Sequence, residues 1–186
     1  MTKNKNQFEG IQYVKVVDLG LSQIYLSADK ITRVRRWFQS DDLSVFEPLP
    51  VHDFGNGRLT LTDGHSRAFV AYKAGVTHVP VVYDTDDMII SELGQLLYKH
   101  DLVWCDRFGL RDVRDLESRI LSSGDYQRLW LDRCEKAYNL LSQTNEAQRE
   151  SLVKLCPALF LYGASRDLSI LYFEDEQEQT YTISNN

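Results

Sequence analysis

The sequence is poor in cysteine and in long apolar runs, and each scarcity excludes a class of protein. Its three cysteines, Cys105, Cys134 and Cys156, form no Cys-x-x-Cys pair, so we expect neither a disulfide framework nor a zinc site. No apolar run approaches the roughly 20 residues of a membrane span, and the polar N-terminus does not resemble a signal peptide. We therefore expect a cytoplasmic protein with no membrane partner.

Basic residues are outnumbered as well. The chain has 21 Lys and Arg against 27 Asp and Glu, a net charge of -6. Residues 1–82 carry 10 basic against 8 acidic side chains, whereas residues 83–186 carry 11 against 19. A nucleic-acid binder needs a basic face that neutralises many phosphates, so this balance argues against a nucleic-acid partner.

The order of β-type runs and helical segments along the chain predicts an α+β protein of ordinary composition. Up to about residue 84, β-type runs alternate with helices, and the chain is mostly helical thereafter. We expect an N-terminal domain over 10–87 and a helical extension over 88–186, which ends in a short β or loop segment. The predicted strands are 12–17, 22–27, 49–54, 58–62 and 79–84, and the predicted helices are one after Ser27 and others at 65–74, 88–100, 112–122, 125–142 and 145–155. Gly55-Asn56-Gly57 predicts a tight turn that joins 49–54 and 58–62 as an antiparallel pair. Ser27 is the expected cap of the first helix, whose apolar face includes Ile31, Val34 and Trp37.

One strand-to-helix junction carries the chemistry that the sequence suggests. The run Arg58–Thr62 leads into Asp63-Gly64-His65-Ser66-Arg67, and an apolar helix follows until Gly75. The glycine allows close approach of the backbone, and the first turn of the helix offers free N–H groups and the positive end of its dipole. Ser66 adds a hydroxyl and Arg67 a guanidinium, so this junction has the outline of a phosphate site. Asp63 either caps the helix or orients His65 or a metal-bound phosphate.

A longer stretch around this junction resembles the ParB/sulfiredoxin superfamily. Its members share a strand, a Gly-x-x-Arg turn, a helix with an Ala-rich face, a glycine and an apolar strand with proline. Here the corresponding segment is LTLTDGHSRAFVAYKAGVTHVPVVYD, and Pro48-Leu49-Pro50-Val51 precedes it like the P-I-x-V strand of the family. The resemblance covers about a third of the chain and implies a ParB/sulfiredoxin-like N-terminal domain.

The turn residues distinguish three branches of that superfamily. Sulfiredoxins have Gly-Cys-His-Arg, but His65 and Ser66 stand here at the second and third positions, which excludes sulfinic acid repair by that mechanism. Partition proteins have Gly-Glu-Arg-Arg and a helix-turn-helix reader, whereas this chain lacks that glutamate and has an acidic second half. Free-serine kinases have Asp-Gly-His-x-Arg, which Asp63, Gly64, His65 and Arg67 match position for position.

The kinase resemblance implies a bound nucleotide, which could be ADP, ATP or CTP, together with Mg²⁺. Its phosphates would lie on the helix start at Gly64, Ser66 and Arg67, with Asp63 and His65 near the transferred group. Those kinases also carry a glutamate base just after the first strand, where this chain offers Asp29 and then arginines. Glu47, beside the Pro-Leu-Pro-Val strand, is the possible substitute, and no protein metal site is expected.

The sequence therefore leaves two functions open. The first is a nucleotide-dependent phosphotransferase that acts on a small hydroxylated metabolite such as free serine. The alternative is a non-enzymatic, nucleotide-switched regulatory or partition-related module. Three basic residues of the first helix, Lys30, Arg33 and Arg36, form either a solvated face or a second anion site beside the turn. His52 and His78 have no metal-like partners and are expected to be surface or core residues. His100 and Cys105 are close in sequence but have no second pair of ligands, so no metal is expected there.

Overall fold

The computed structural model describes residues 10–143, and these residues form an α+β fold, as the sequence predicts. The strands of this part of the chain are β1 (Gln12–Lys15), β2 (Leu26–Ser27), β3 (Leu49–His52), β4 (Thr60–Leu61), β5 (His78–Tyr83) and β6 (Ile120–Leu121). Four of them form a mixed sheet in the order β1-β5-β3-β4, in which only the β5–β3 pair is parallel. Strands β2 and β6 form a separate parallel pair.

Helices account for most of the rest of the described chain. They are α1 (Ala28–Trp37), α2 (His65–Lys73), α3 (Asp87–Ile90), α4 (Glu92–Arg107), α5 (Ser123–Tyr126) and α6 (Asp132–Ser142). Two 3₁₀ helices span Val16–Asp18 and Val113–Arg119, and a π-helical turn at Gln127–Leu131 joins α5 to α6. The longest of these helices, α4, has 16 residues, and none within 10–143 has the length and apolarity to cross a bilayer.

The predicted antiparallel pair before the junction is confirmed, as is the helix that follows it. Val51 pairs with Leu61 and His52 with Thr60, and α2 begins at His65. The connection is wider than the tight turn that Gly55-Asn56-Gly57 suggests, because the strands end at 52 and resume at 60. Within it, the Asp53 carboxylate accepts hydrogen bonds from two backbone N–H groups of the loop, at 2.9 and 3.0 Å.

Two of the helices predicted in the second half of the chain differ from the elements in the structure. The predicted helix at 88–100 is two helices, α3 and α4, and the second continues to Arg107. Ser91 caps α4 by accepting from the N–H of Gly94 at 3.1 Å. A Cβ at Gly94 would lie only 1.5 Å from the Met88 carbonyl oxygen, so only glycine fits at this position of α4.

The predicted helix at 112–122 is a 3₁₀ helix that ends in a strand. Asp112 caps it, and Ile120 and Leu121 then pair with Leu26 and Ser27 of β2. Pairing with a distant strand has overridden the local helical pattern. The predicted helix at 125–142 is present as the continuous run α5, π turn and α6, whereas the predicted helix at 145–155 and the C-terminal segment lie outside the described residues.

A single apolar cluster holds these elements together. The inner face of the sheet contributes residues such as Leu49 and Val81, and α2 contributes Phe69. Trp104 of α4 and Leu116 of the second 3₁₀ helix belong to the same cluster and are almost fully buried. Residues after 88 therefore pack directly on the segment that carries the junction, because α2 lies against α1 and against the second 3₁₀ helix.

Candidate functional site: a cationic cavity at the start of α2

Gly64 is the N-cap of α2 and gives the junction its shape. Its φ of 79° lies in the left-handed region, and a Cβ at this position would meet Leu49 Cδ2 at 2.7 Å and Arg67 Nη2 at 3.0 Å. A glycine cap also has no side chain to accept from the first N–H groups of the helix. Asp63 does not cap α2, so that sequence interpretation is wrong, and the helix start remains open to an acidic ligand.

His65 occupies the first position of α2 and is buried, with 3% of its surface exposed. Its Nε2 accepts a hydrogen bond from the backbone N–H of Ser22 at 3.2 Å, so the proton of the neutral ring lies on Nδ1. Burial lowers its pKa to about 4, against the opposing influence of Asp63 and Asp101. The ring is therefore neutral at pH 7 and fastens the loop before β2 to the start of α2.

Arg67 brings together two of the carboxylates that the sequence singled out. Its Nη1 donates to the Glu47 carbonyl oxygen at 3.0 Å and lies 3.4 Å from Glu47 Oε2, and its Nη2 lies 3.8 Å from Asp63 Oδ2. Both carboxylates are exposed, whereas the guanidinium is mostly buried. Exposed ion pairs of this kind contribute about 0–1 kcal/mol, so a more highly charged anion can replace them.

A cavity of about 280 Å³ opens beside the start of α2, and α1 forms its other wall. Its lining includes three cationic side chains, which are Lys30 and Arg33 from α1 and Arg67 from α2, and a single carboxylate, Asp63. Of the two interpretations of the basic face of α1, the second anion site is the one that this arrangement favours. Arg36 is not part of this lining, and Glu47 stands outside it next to Arg67.

Uncharged residues complete the lining: Gln23, Val34, Trp37, Gly64, His65 and Ser66. The sequence pattern groups Trp37 with Ile31 and Val34, which are buried, but Trp37 is 40% exposed. The sequence pattern therefore does not predict a half-exposed tryptophan in a cationic cavity. The signal that could have revealed it is the spacing of Lys30, Arg33 and Trp37, which places all three on one face of α1.

The cavity is connected to the later helices through Lys30. Its Nζ lies 5.3 Å from the ring centroid of Tyr126 in α5 and 3.5 Å from the phenol oxygen. The same oxygen accepts from Gln23 Nε2 at 3.1 Å, and Gln23 also lines the cavity. One residue further back, Asp29 accepts a hydrogen bond from the Ser123 hydroxyl. A ligand that draws Lys30 inward would therefore loosen its contact with α5.

A larger depression of about 760 Å³ lies near the second 3₁₀ helix, but its arginines are already engaged. Arg114 forms a two-pronged ion pair with Asp112, at 2.8 and 2.7 Å. Arg119 lies over the rings of Phe108 and Tyr25, at 4.3 and 5.1 Å from their centroids. The cavity at α2 is thus better suited to an anion.

No group of three His, Cys, Asp or Glu side chains in residues 10–143 is arranged to hold a metal ion. His52 is a core residue, bonded to the Asp84 carbonyl and to Gln95, and His78 is exposed. Mg²⁺ generally binds to one or two carboxylates together with substrate phosphates. The lining of the cavity, with Asp63 as its carboxylate, fits a Mg²⁺ ion that arrives with a phosphate ligand.

The similarity of this chain to known proteins is weak. No family model matches the chain, and no curated protein matches it significantly. Among solved structures, the protein Atu1540 from Agrobacterium tumefaciens matches with a TM-score of 0.39 and 14% identity, over 86% of this chain and 95% of that one.

Proposed function

We propose that this protein binds a nucleotide through its phosphates in the cavity between α1 and α2. The observation that carries the proposal is the convergence of Lys30, Arg33 and Arg67 on the glycine-capped start of α2. Three cations against one carboxylate produce an excess of positive charge, and the helix dipole adds to it. The match of Asp63, Gly64, His65 and Arg67 to the turn of the free-serine kinases supports the same ligand.

We further propose that the bound nucleotide is a phosphoryl donor to a small hydroxylated metabolite such as free serine. In this reaction the acceptor hydroxyl forms a new P–O bond, the bond to the leaving nucleotide breaks, and a carboxylate accepts the hydroxyl proton. Asp63 lines the cavity and Glu47 flanks Arg67, so either can accept that proton. Lys30, Arg33 and Arg67 would stabilise the charge on the transferred group.

His65 has a different place in this proposal from the one that the sequence suggested. With its Nε2 bonded to Ser22 and its ring buried, it is better placed to hold the shape of the turn than to touch a ligand. We therefore assign His65 a positioning role, whereas its catalytic role stays a prediction from the resemblance.

The second candidate function is a nucleotide-switched module without catalysis. Lys30 lines the cavity and also contacts Tyr126 of α5, which favours this alternative, because binding would act on the later helices through that contact. The two functions differ in one measurable property, the formation of a phosphorylated acceptor.

Calorimetry with ADP, ATP, CTP and pyrophosphate, each with and without Mg²⁺, tests the binding step. We expect Arg67→Ala to weaken binding of any ligand that the unmodified protein binds, and Arg67→Lys to weaken it less, because lysine keeps the charge and loses the planar fork. Arg36→Ala is the matched control, since Arg36 is on α1 but does not line the cavity. Equal affinity of Arg67→Ala and the unmodified protein would overturn the proposal.

Turnover is measured separately, by following nucleotide consumption in the presence of free serine and other small hydroxylated metabolites. Formation of a phosphorylated acceptor supports the kinase. Intact, Arg67-dependent binding without any such product would favour the switch module.

A further inference from the structure

Trp37 is the one tryptophan of the chain with a large exposed surface. It is 40% exposed, whereas Trp104 and Trp130 are 2% and 7% exposed. Its ring contacts Phe38 and Phe46 at centroid distances of 6.3 Å, at interplanar angles of 62° and 51°. These two side chains support the indole from outside the cavity lining and leave part of its surface uncovered.

The position of Trp37 on α1 sets its distance from the cationic residues. Lys30, Arg33 and Trp37 follow one another at helical spacing and line the same cavity. Trp37 lies seven positions after Lys30, which corresponds to about 10 Å along the helix axis. The α1 wall is therefore cationic towards its N-terminus and aromatic at its C-terminus, and an extended nucleoside diphosphate separates its terminal phosphate from its base by a comparable distance.

We propose that Trp37 is the platform on which the base of the bound nucleotide stacks. The inference rests on the proposed function for the binding of the phosphates, and it adds a site for the base. It selects a nucleoside diphosphate or triphosphate over a bare polyphosphate, because only the nucleotide has an aromatic ring to place on the indole. Stacking on an aromatic face accepts every base, so the platform favours nucleotides as a class and discriminates little among them.

The contribution of the base is measured by titrating ADP and pyrophosphate into the same variants, because these ligands differ in the nucleoside alone. We expect Trp37→Ala to weaken ADP binding by about 5- to 150-fold, the usual range for loss of one stacked base. Pyrophosphate affinity should stay within about two-fold. Trp37→Phe should recover most of the ADP affinity, since it keeps an aromatic face, and Tyr138→Ala, which removes an exposed aromatic ring outside the cavity, should leave both affinities unchanged.

Tryptophan fluorescence gives a readout that needs no substitution. Because the other two tryptophans are buried, the exposed indole dominates the fluorescence accessible to a ligand. ADP should quench it at the concentrations at which calorimetry detects binding, and saturating pyrophosphate should not.

The outcomes separate this inference from the proposed function. Arg67-dependent binding of both ligands with equal affinity, no quenching and no effect of Trp37→Ala would overturn the platform and leave the phosphate site intact. Failure of both ligands to bind would overturn the proposed function itself. Tighter binding of a single-stranded oligonucleotide than of ADP would also overturn the platform as a mononucleotide subsite.

Discussion

The backbone N–H of Ser22 donates to Nε2 of His65 across 3.2 Å, and this bond joins the loop before β2 to the first residue of α2. It fixes the ring as the Nδ1–H tautomer and requires the ring to stay neutral, because a protonated imidazole has no lone pair to accept from Ser22. The turn that carries the proposed phosphate site is thereby linked to the charge state of one buried histidine.

Stability should therefore fall as the pH is lowered below neutrality. Burial lowers the pKa of His65 to about 4, so between 6.5 and about 4 the unfolded chain binds a proton that the folded chain does not. The stabilisation is complete above pH 6.5 and is lost as the pH falls towards 4, by about 2 kcal/mol between pH 7 and pH 5.

Urea unfolding at these two pH values measures the effect. We expect His65→Gln to lose this part of the pH dependence, whereas His78→Gln, a change at an exposed histidine, keeps it. An unchanged difference between pH 7 and pH 5 in His65→Gln would contradict the proposed origin of the effect.

A methyl group at Gly64 should damage the site more than one at Gly75. Both residues have a positive φ, 79° and 83°, so alanine costs about 1–2 kcal/mol of backbone strain at either position. Only at Gly64 does the new Cβ collide with other atoms, at 2.7 Å from buried Leu49, whereas Gly75 has open space around it.

Comparing the thermal unfolding of Gly64→Ala and Gly75→Ala separates the two effects, because both variants have the backbone strain and only Gly64→Ala has the steric collision. We expect Gly64→Ala to be less stable by a further 1–3 kcal/mol or so. It should also lose phosphate binding, which Gly75→Ala should retain. Equal stability of the two variants would mean that the side chains of Leu49 and Arg67 move away from the new methyl group without loss of stability.

The acidic residues beside Arg67 should affect turnover and affinity in opposite directions. Asp63 and Glu47 compete with a phosphate for the guanidinium and repel its charge. We therefore expect Asp63→Asn and Glu47→Gln each to maintain or slightly strengthen pyrophosphate binding in the absence of Mg²⁺, measured by calorimetry.

If the protein is a kinase, the same substitution in whichever residue serves as base should reduce turnover by about 100-fold or more. The other variant is then the matched control, since it removes one negative charge from the same guanidinium. A phosphotransferase that is unaffected by either change would need a base elsewhere.

A buried ion pair between α4 and α6 should contribute strongly to stability. Arg133 is buried, donates to the Asp101 carboxylate and lies over the Trp130 ring at 4.4 Å. Although burial opposes it, Arg133 holds the pKa of Asp101 below its usual value. Removing one member leaves an uncompensated buried charge, so Arg133→Met should cost about 3–5 kcal/mol in denaturant unfolding.

Lys73→Met serves as the comparison, because it breaks the exposed ion pair with Glu117 and should cost less than about 1 kcal/mol. The double variant Arg133→Met/Asp101→Leu should recover part of the loss, since no charge remains buried. Similar losses in the free energy of unfolding for Arg133→Met and Lys73→Met would show that the buried ion pair contributes no more than the exposed one.

By itself, the sequence determined the local structure around the junction. Alternation of apolar residues predicted β3 and β4 as an antiparallel pair, and the Asp-Gly sequence predicted the start of α2 at His65, because these signals act between near neighbours. Ser27 was likewise recognised as the cap of α1, where its hydroxyl accepts from the Lys30 N–H.

Only the tertiary structure decided what lies opposite that junction. The packing of α1 against α2 brings Lys30, Arg33 and Trp37 to the cavity, and the course of the chain before β3 places Glu47 on Arg67. Tertiary structure also replaces one longer predicted helix by the 3₁₀ helix at Val113–Arg119 followed by β6. The reason is that β6 pairs with β2, which lies far earlier in the chain. The physical reason is common to all three: helical and strand periodicity depends on residues a few positions apart, whereas these contacts depend on how distant segments bury their apolar faces against each other.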